Sequence, residues 1–576
     1  MPILIDRDIP CKMRDGCILR ANVFRPSADG QYPTLVFRTP YDKNAAGNMA
    51  LALDPLRFVE AGYVVVQQDV RGRFASEGVH EPWIEYDDGY DTIEWAAAQP
   101  WSSRRVGAYG VSYHGLTAWS AAVTGPPALR AIAATQAPYD HHAVYWRGGA
   151  FELGSQLQWS VRVMGLSELL RARANAPADQ RRKEFAALVD KVDAFDALAR
   201  TTPLSGLLSI LPDTPFFKRA FEKLDHPTPD EYHGARSLTG RHGGVKVPAL
   251  ITAGWHDVLL QSDLKHYKAI RTEGGSREAR EESRLVIGPW IHGPGLQSTA
   301  GGEIDYGLRA SGITLDLRED LTGYHRRWFD RWLKDAPDHG FAPVRIFVMG
   351  ENRWRDEDEW PLSRTRPTRW HLHSDGGLSP QMPAADEKPR TYINNPEDPC
   401  PSLGGANLLP PAYTKGSVAQ GALFQRPDVL IFSSEILAAP LEVTGFVSAT
   451  LWASTNAQDA DWVVKLCDVH PDGRTFNVCD GIVRASRRES DWRTPRPVKP
   501  GEIIPYTIDL VATSMTFLPG HRLRVMVTSS DFPRNDRNPG TGEDAYTAKR
   551  LIKAKHQIYC DAEHPSHVLL PIVPRN

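Results

Sequence analysis

The feature that most constrains this chain is an alternation in its first third, where short apolar runs trade places with segments of helical spacing. PTLVF (33 to 37) and GYVVVQQD (62 to 69) read as strands, DDGYDTIEWAAAQ (87 to 99) as a helix, VGAYGVS (106 to 112) as a strand and LTAWSAAV (116 to 123) as a helix. Parallel strands need a crossover between them, and helices supply it, so the pattern predicts an α/β sheet. VPALITAGW (247 to 255) and RLVIGPW (284 to 290) resume the pattern after about a hundred residues.

The interruption carries WSVRVMGLSELLRARAN and RRKEFAALVDKVDAFDALAR, which have helical spacing and offer no strand candidate. A helical insertion between two strands of one sheet is expected to form a cap. Beyond about residue 350 the texture changes. TGFVSATLWAST, DADWVVKLCDV, IIPYTIDLVAT and HRLRVMVTSS are strand-type runs separated by turn residues such as PDGR (471 to 474) and LPGH (518 to 521). That predicts an all-β sandwich of jelly-roll type. The expected domains are an α/β sheet domain in two parts (1 to 140 and 241 to 350), a helical cap insertion (141 to 240) and the β-sandwich (351 to 576). The Pro-rich, charged stretch RWRDEDEWPLSRTRPTRWHLHSDGG is the expected junction.

At 576 residues the chain exceeds what one core supports, which agrees with several domains. Charge is balanced, 67 Lys plus Arg against 70 Asp plus Glu, and no basic stripe points to nucleic acid. The N-terminal MPILIDRDIPCKMRDG lacks the apolar core of a signal peptide, and no run of apolar residues is long enough to span a membrane. The expectation is a soluble, cytoplasmic protein without a membrane partner. Six scattered cysteines (Cys11, Cys17, Cys400, Cys467, Cys479 and Cys560) suggest neither a disulfide framework nor a Cys-x-x-Cys metal site.

Chemistry enters at YGVSYHGLTAW (109 to 119), where Ser112 stands between a strand and a helix. A serine hydroxyl becomes a useful nucleophile only with a histidine to take its proton, an acid to orient the histidine, and donors for the oxyanion. In an α/β-hydrolase arrangement these follow in the order serine, acid, histidine, each after its own strand. Ser112 follows VGAY, Asp257 follows ALITAGWH and His292 follows LVIGPWI. Each alone has a plain structural reading: Asp257 as a helix cap, His292 as a loop residue. Their joint order is what points to catalysis.

Two neighbours are set aside. His114, two residues past the serine on a helix, is turned about 200 degrees away. Asp69 precedes the nucleophile, which breaks the order, so a pairing with Arg71 or a turn role is expected for it. The elbow also lacks its usual second glycine; Gly110 serves one side, and Gly115 comes one residue late.

RTPYDK (38 to 43), QDVRGRFASEG (68 to 78), GVSYHG (110 to 115), AGWHD (253 to 257), GPWIHG (288 to 293), DPCPSLGG (398 to 405), PGHRLRV and SSDFPRNDRNPGTG together resemble the family of cocaine esterase, X-Pro dipeptidyl-peptidases, glutaryl acylases and α-amino-acid ester hydrolases. The motifs span nearly the whole chain. The resemblance implies an α/β-hydrolase domain with an inserted helical cap and a C-terminal jelly-roll domain, which agrees with the reading above. It also implies that the Tyr41 hydroxyl and the Tyr113 amide bind the oxyanion. By the same likeness, Trp146, Phe151, Trp159, Leu259 and Leu408 would line the substrate pocket.

The function expected is a serine esterase cleaving carboxylic esters, with an apolar or aromatic acyl group, by an acyl-enzyme route that uses water and needs no metal or organic cofactor. One alternative is an X-Pro dipeptidyl aminopeptidase or a β-lactam or amide acylase; Asp140, His141 and His142 would suit a polar or amino-bearing substrate. Another is a catalytically dead protein that binds carbohydrate through its jelly roll. A homodimer is compatible with the sequence.

Overall fold

A computed structural model describes residues 2–27, 29–45, 53–337, 340–489 and 494–574. The chain divides into two compact units: Met1–Val144 with Glu231–Gly301 and Asp305–Trp360, and Tyr145–Asp230 with Gly302–Ile304 and Pro361–Asn576.

The first unit is built on a sheet of ten strands: β1 (Ile3–Lys12), β2 (Ile18–Pro26), β3 (Tyr32–Thr39), β4 (Val64–Asp69), β5 (Ser102–Val111), β6 (Leu129–Thr135), β7 (Ala249–Gly254), β8 (Arg284–Gly288), β9 (Val344–Val348) and β10 (Arg353–Glu357). Their spatial order is β1-β2-β4-β3-β5-β6-β7-β8-β9-β10. Pairing is parallel from β4 through β9 and antiparallel at both margins. β4, β7 and β8 are buried along their full length, as parallel strands covered on both faces must be; β7 and β8 are accordingly mostly apolar, while β4 runs from three valines into the buried Gln67, Gln68 and Asp69. Helices α1 (Tyr86–Ala97), α2 (Tyr113–Val123), α3 (Leu260–Glu273) and α4 (Leu321–Lys334) belong to this unit.

The second unit holds a sandwich of two antiparallel sheets. The smaller sheet is formed by β13 (Leu430–Ser433), β15 (Asp461–Val469), β16 (Thr475–Arg484) and β18 (Arg522–Thr528), in the order β13-β18-β15-β16. The larger contains β11 (Arg366–Leu372), β12 (Arg390–Asn394), β14 (Leu441–Thr455), β17 (Ile504–Phe517), β19 (Ala554–Ile558) and β20 (His567–Ile572), together with the short strand Leu378–Ser379. Inward residues of both sheets, among them Leu451, Trp462, Leu466, Tyr506, Phe517 and Val525, form one core, as period-two strands facing each other require.

The insertion groups with this sandwich. It contains the expected helices, the longest being Ala178–Asp193, and a π-helical stretch at Leu157–Gly165. It also contains a hairpin that the sequence did not suggest, Trp146–Arg147 paired with Ala150–Phe151. Each arm is two residues long, too short for periodicity to register. Its turn needs glycine: Gly148 has φ +52, and a Cβ there would stand 1.8 Å from the Ile482 carbonyl oxygen. The Phe151 amide donates to Asp536 Oδ1 at 2.9 Å, and Gly154 N to Arg534 O at 3.0 Å, which ties the insertion to the C-terminal segment. All six cysteines are free thiols, and five are buried.

Candidate active site

Ser112 sits between β5 and α2 with φ +62 and ψ −125, a conformation that costs a non-glycine residue on the order of 1–3 kcal/mol. Close packing holds it there. A Cβ on Gly110 would stand 2.3 Å from His114 Cβ, and one on Gly115 would stand 2.8 Å from Ala137 Cβ, so Gly115 does the work of the missing glycine. The side chain of His114 turns into the core as expected. Its Nδ1 donates to Val111 O at 2.8 Å, and its Nε2 lies 3.0 Å from Thr39 Oγ1. Burial holds its pKa down at about 4, so the ring is neutral and Nε2 accepts the Thr39 proton. Thr39 Oγ1 in turn accepts from Tyr41 N at 3.0 Å, so the residue that sequence reasoning set aside as a decoy anchors the Tyr41 backbone.

The acid and the histidine come from adjacent parallel strands. β7 and β8 end in register at Gly254 and Gly288, and the pairing continues past them: Trp255 N donates to Gly288 O at 2.8 Å and His256 N to Trp290 O at 3.1 Å. The two loops therefore leave the sheet side by side. His292 Nδ1 donates to Asp257 Oδ2 at 2.6 Å, and His292 Nε2 lies 2.9 Å from Ser112 Oγ. With the Nδ1 proton on the carboxylate, Nε2 presents a lone pair to the serine hydroxyl. Asp257 is not the helix cap that its position alone suggests: Leu259 is the N-cap of α3, and Asp257 Oδ1 accepts from Leu259 N at 2.6 Å in the turn before it.

Gln136 escaped sequence reasoning. It follows β6 with φ +47, wholly buried, and its side-chain amide grips the histidine loop on both sides: Nε2 donates to Ile291 O at 3.0 Å, and Oε1 accepts from Gly293 N at 2.8 Å. No local pattern marks such a residue, because both partners lie about 155 positions downstream. Asp263, on α3, is a second buried acid near Asp257. Burial, then the charge of Asp257, pushes its carboxyl well above the usual range, while Oδ1 accepts from Ala137 N at 2.9 Å.

Tyr113 heads α2, whose first N–H groups have no partner within the helix. Its hydroxyl is turned inward, accepting from Trp83 N at 2.9 Å and donating to Glu85 Oε1 at 3.0 Å. Glu85, paired with Arg38 at 3.1 Å, has its pKa raised to about 7 by burial. The Tyr41 ring lies edge-on to Tyr113 and His114, with centroids 6.3 and 5.3 Å away. Asp69 does not pair with Arg71 but holds the following turn, its Oδ2 accepting from Ala75 N at 3.3 Å and its carbonyl from the Ser76 hydroxyl at 2.7 Å. It binds Lys43, through the backbone amide and Nζ at 2.8 Å each, because Arg71 is taken by Asp15 and Asp88.

Leu259 is buried at the start of α3. In the second unit, Trp146 and Phe151 pack ring on ring at 4.9 Å, Phe151 without exposed surface; Trp159 and Leu408 are partly exposed. Asp140 caps a short helix through Ala143 N and accepts from the Thr239 hydroxyl, and His141 Nδ1 meets His233 Nδ1 at 2.7 Å. These groups are engaged within the fold.

A nucleophile elbow, an acid and a histidine on the ends of parallel strands define a serine hydrolase of the α/β-hydrolase type. Residues 15–294 match the X-Pro dipeptidyl-peptidase (S15 family) model, and residues 339–569 match the X-Pro dipeptidyl-peptidase C-terminal non-catalytic domain. Among curated proteins, the cocaine esterase of Rhodococcus sp. (strain MB1 Bresler) is 39% identical over 98% of this chain and 97% of its own. A putative serine esterase of Mycobacterium bovis is 27% identical over 97% and 94%. Among solved structures, an aminopeptidase of a marine sediment archaeon (Thaumarchaeota) superposes with a TM-score of 0.80 at 26% identity, covering 99% of this chain and 97% of that one. An α-amino acid ester hydrolase gives 0.79 at 26%, covering 99% and 96%. The chain belongs to the cocaine esterase and X-Pro dipeptidyl-peptidase family of serine hydrolases. Among the described residues, no helix is long and apolar enough to cross a membrane.

Proposed function

We propose that this enzyme hydrolyses carboxylic esters of small molecules bearing an apolar or aromatic acyl group, with Ser112, His292 and Asp257 as its catalytic residues. The observation that carries the reading is the continuous chain from Ser112 Oγ through the imidazole to Asp257, with links of 2.9 and 2.6 Å. Ser112 Oγ attacks the acyl carbon as its proton passes to His292 Nε2, while Asp257 fixes the tautomer and balances the imidazolium. The oxyanion is held by the Tyr41 hydroxyl and the Tyr113 amide. Collapse breaks the bond to the alcohol oxygen, which takes the proton from His292. Water, deprotonated by the same nitrogen, then releases the acid and frees the serine.

The cocaine esterase relative supports ester over amide; the similarity to an archaeal aminopeptidase keeps a second reading, cleavage of amino-terminal amides, in play. The test is a panel of p-nitrophenyl acyl esters set against an X-Pro anilide. Faster turnover of aromatic and medium-chain esters is expected, with labelling by a fluorophosphonate probe abolished in Ser112→Ala. Preferential cleavage of the anilide would overturn the ester reading, and labelling that survives Ser112→Ala would overturn the nucleophile.

A further inference from the structure

The smaller sheet of the sandwich carries a constellation the hydrolase site does not use. Asp468 lies on β15, His470 follows that strand, and His521 precedes β18. β15 and β18 are antiparallel, with Asp468 opposite Leu523 and Val469 opposite Arg522, so the next step of the register sets His470 against His521. Side chains alternate across a strand with period two, which places residues 468 and 470 on one face, and cross-strand partners share a face. The three groups therefore converge at the end of the face to which Leu466 and Leu523 contribute core side chains.

The contacts follow this logic. His521 Nδ1 lies 2.9 and 3.0 Å from the two Asp468 oxygens, His470 Nε2 lies 3.3 Å from Oδ2, and the two rings are 4.7 Å apart. One ligand atom from each residue falls within 4.8 Å of the others. The carboxylate is buried, and its side-chain partners are these two imidazoles; no lysine or arginine pairs with it among the described residues. One imidazole would suffice to pin a carboxylate, whereas two on the same carboxylate supply the donor set of a cation site. Ligands at about 2.0–2.2 Å around a tetrahedral ion stand about 3.3–3.6 Å from one another, so the His470 to Asp468 separation of 3.3 Å is already a ligand edge, and the His521 contact at 2.9 Å has only a few tenths of an ångström to open. Nitrogen donors favour zinc and its late first-row neighbours over calcium or magnesium.

We infer that Asp468, His470 and His521 bind a divalent transition-metal ion of the zinc class, which ties the turn after β15 to the turn before β18. His470, whose side chain is 26% exposed, provides the side open to solvent for entry and for a further ligand. The site shares no residue with the proposed serine chemistry and lies in the domain whose family model is described as non-catalytic.

The test uses the full chain, stripped by chelator dialysis and titrated with cobalt(II) chloride by visible absorption and with zinc chloride by calorimetry. One equivalent of cobalt with the intense bands of four- or five-coordination is expected, together with a zinc-dependent rise in Tm. Asp468→Asn, His470→Gln and His521→Gln should each weaken zinc at least about a hundred-fold and remove the Tm response. Absence of one-equivalent binding by the wild type would overturn the inference, and so would wild-type affinity in the variants, which would place the metal on other histidines. His470→Gln removes only the longer contact, at the 26% exposed side chain, so it and the wild type decide the matter even if Asp468→Asn does not fold.

Discussion

At the scale of single residues, the proposed catalytic geometry rests on groups outside the proposed triad. Gln136 holds the carbonyl of residue 291 and the amide of residue 293, so the backbone on both sides of His292 is fixed from one side chain. Gln136→Ala removes both bonds, and Gln136→Glu keeps only the acceptor for Gly293 N. Because misplacing a catalytic group by about 1 Å can cost about a hundred-fold, kcat is expected to fall about ten- to a hundred-fold in the alanine variant and less in Gln136→Glu, with KM little changed. Steady-state kinetics on one ester substrate checks this; a loss confined to KM would refute it. Tyr41→Phe is the complementary case at the proposed oxyanion site. It removes one donor, worth about 2.7–4 kcal/mol, so kcat should drop by about two to three orders of magnitude while thermal unfolding is unchanged. The convergence of Ser112, His292 and Asp257 was legible because the three occupy the one place in a parallel sheet, just past a strand's C-terminal end, where order along the chain predicts proximity. Gln136 was not, since a glutamine after AAT carries no sign of two backbone partners about 155 positions away.

At the scale of elements, the elbow between β5 and α2 is a packing problem solved by two glycines and a buried histidine. A Cβ at Gly110 meets His114 Cβ at 2.3 Å and its carbonyl carbon at 2.5 Å, atoms that cannot yield without moving α2. Gly110→Ala should therefore destabilise by about 1–3 kcal/mol or more and depress activity, whereas Gly234→Ala, in a helix with nothing within 4 Å, should be neutral or slightly stabilising. Denaturant unfolding of the two variants makes the comparison. A second consequence belongs to the segment leading into α1. Glu85 has a pKa of about 7 in the folded chain, against an ordinary value of 4.5, because burial outweighs the Arg38 charge. The folded state thus holds this proton more tightly than the unfolded one. The stability that Glu85 contributes is complete below about pH 4.5 and lost as pH rises through about 7, a swing on the order of 3 kcal/mol. Glu85→Gln has no such proton, so its Tm relative to wild type should climb between about pH 5 and about pH 8; a constant difference would show that Glu85 does not titrate there.

At the scale of the molecule, fold class was legible because the change from alternating strands and helices to strands alone is a change of period, which survives without tertiary context. The company the insertion keeps was not legible: a helical insertion in a sheet reads as an appendage of that sheet, yet its residues form one compact unit with the C-terminal sandwich. Buried charge pairs join them alongside backbone hydrogen bonds and the apolar contact of Ala150 with Val463 and Ile482. Arg484 binds Asp461 at 2.8 Å and Asp536 at 2.9 Å, Asp536 also accepts the Phe151 amide, and Arg534 binds Asp480 at 2.6 Å with Glu152 of the insertion 3.6 Å away. Such networks contribute little while intact, but removing one member strands its partner in a medium where an unpaired charge costs about 3–5 kcal/mol. Asp536→Ala leaves Arg484 with one carboxylate and the Phe151 amide with no acceptor, so the hairpin and the sandwich edge should loosen together. The expected result is a fall in Tm with faster hydrogen exchange in residues 146 to 156 and 480 to 487 alike, read by mass spectrometry. If exchange rises only around Arg484 while the hairpin stays protected, the insertion is held by its apolar contacts, and the buried charges do not join the two segments.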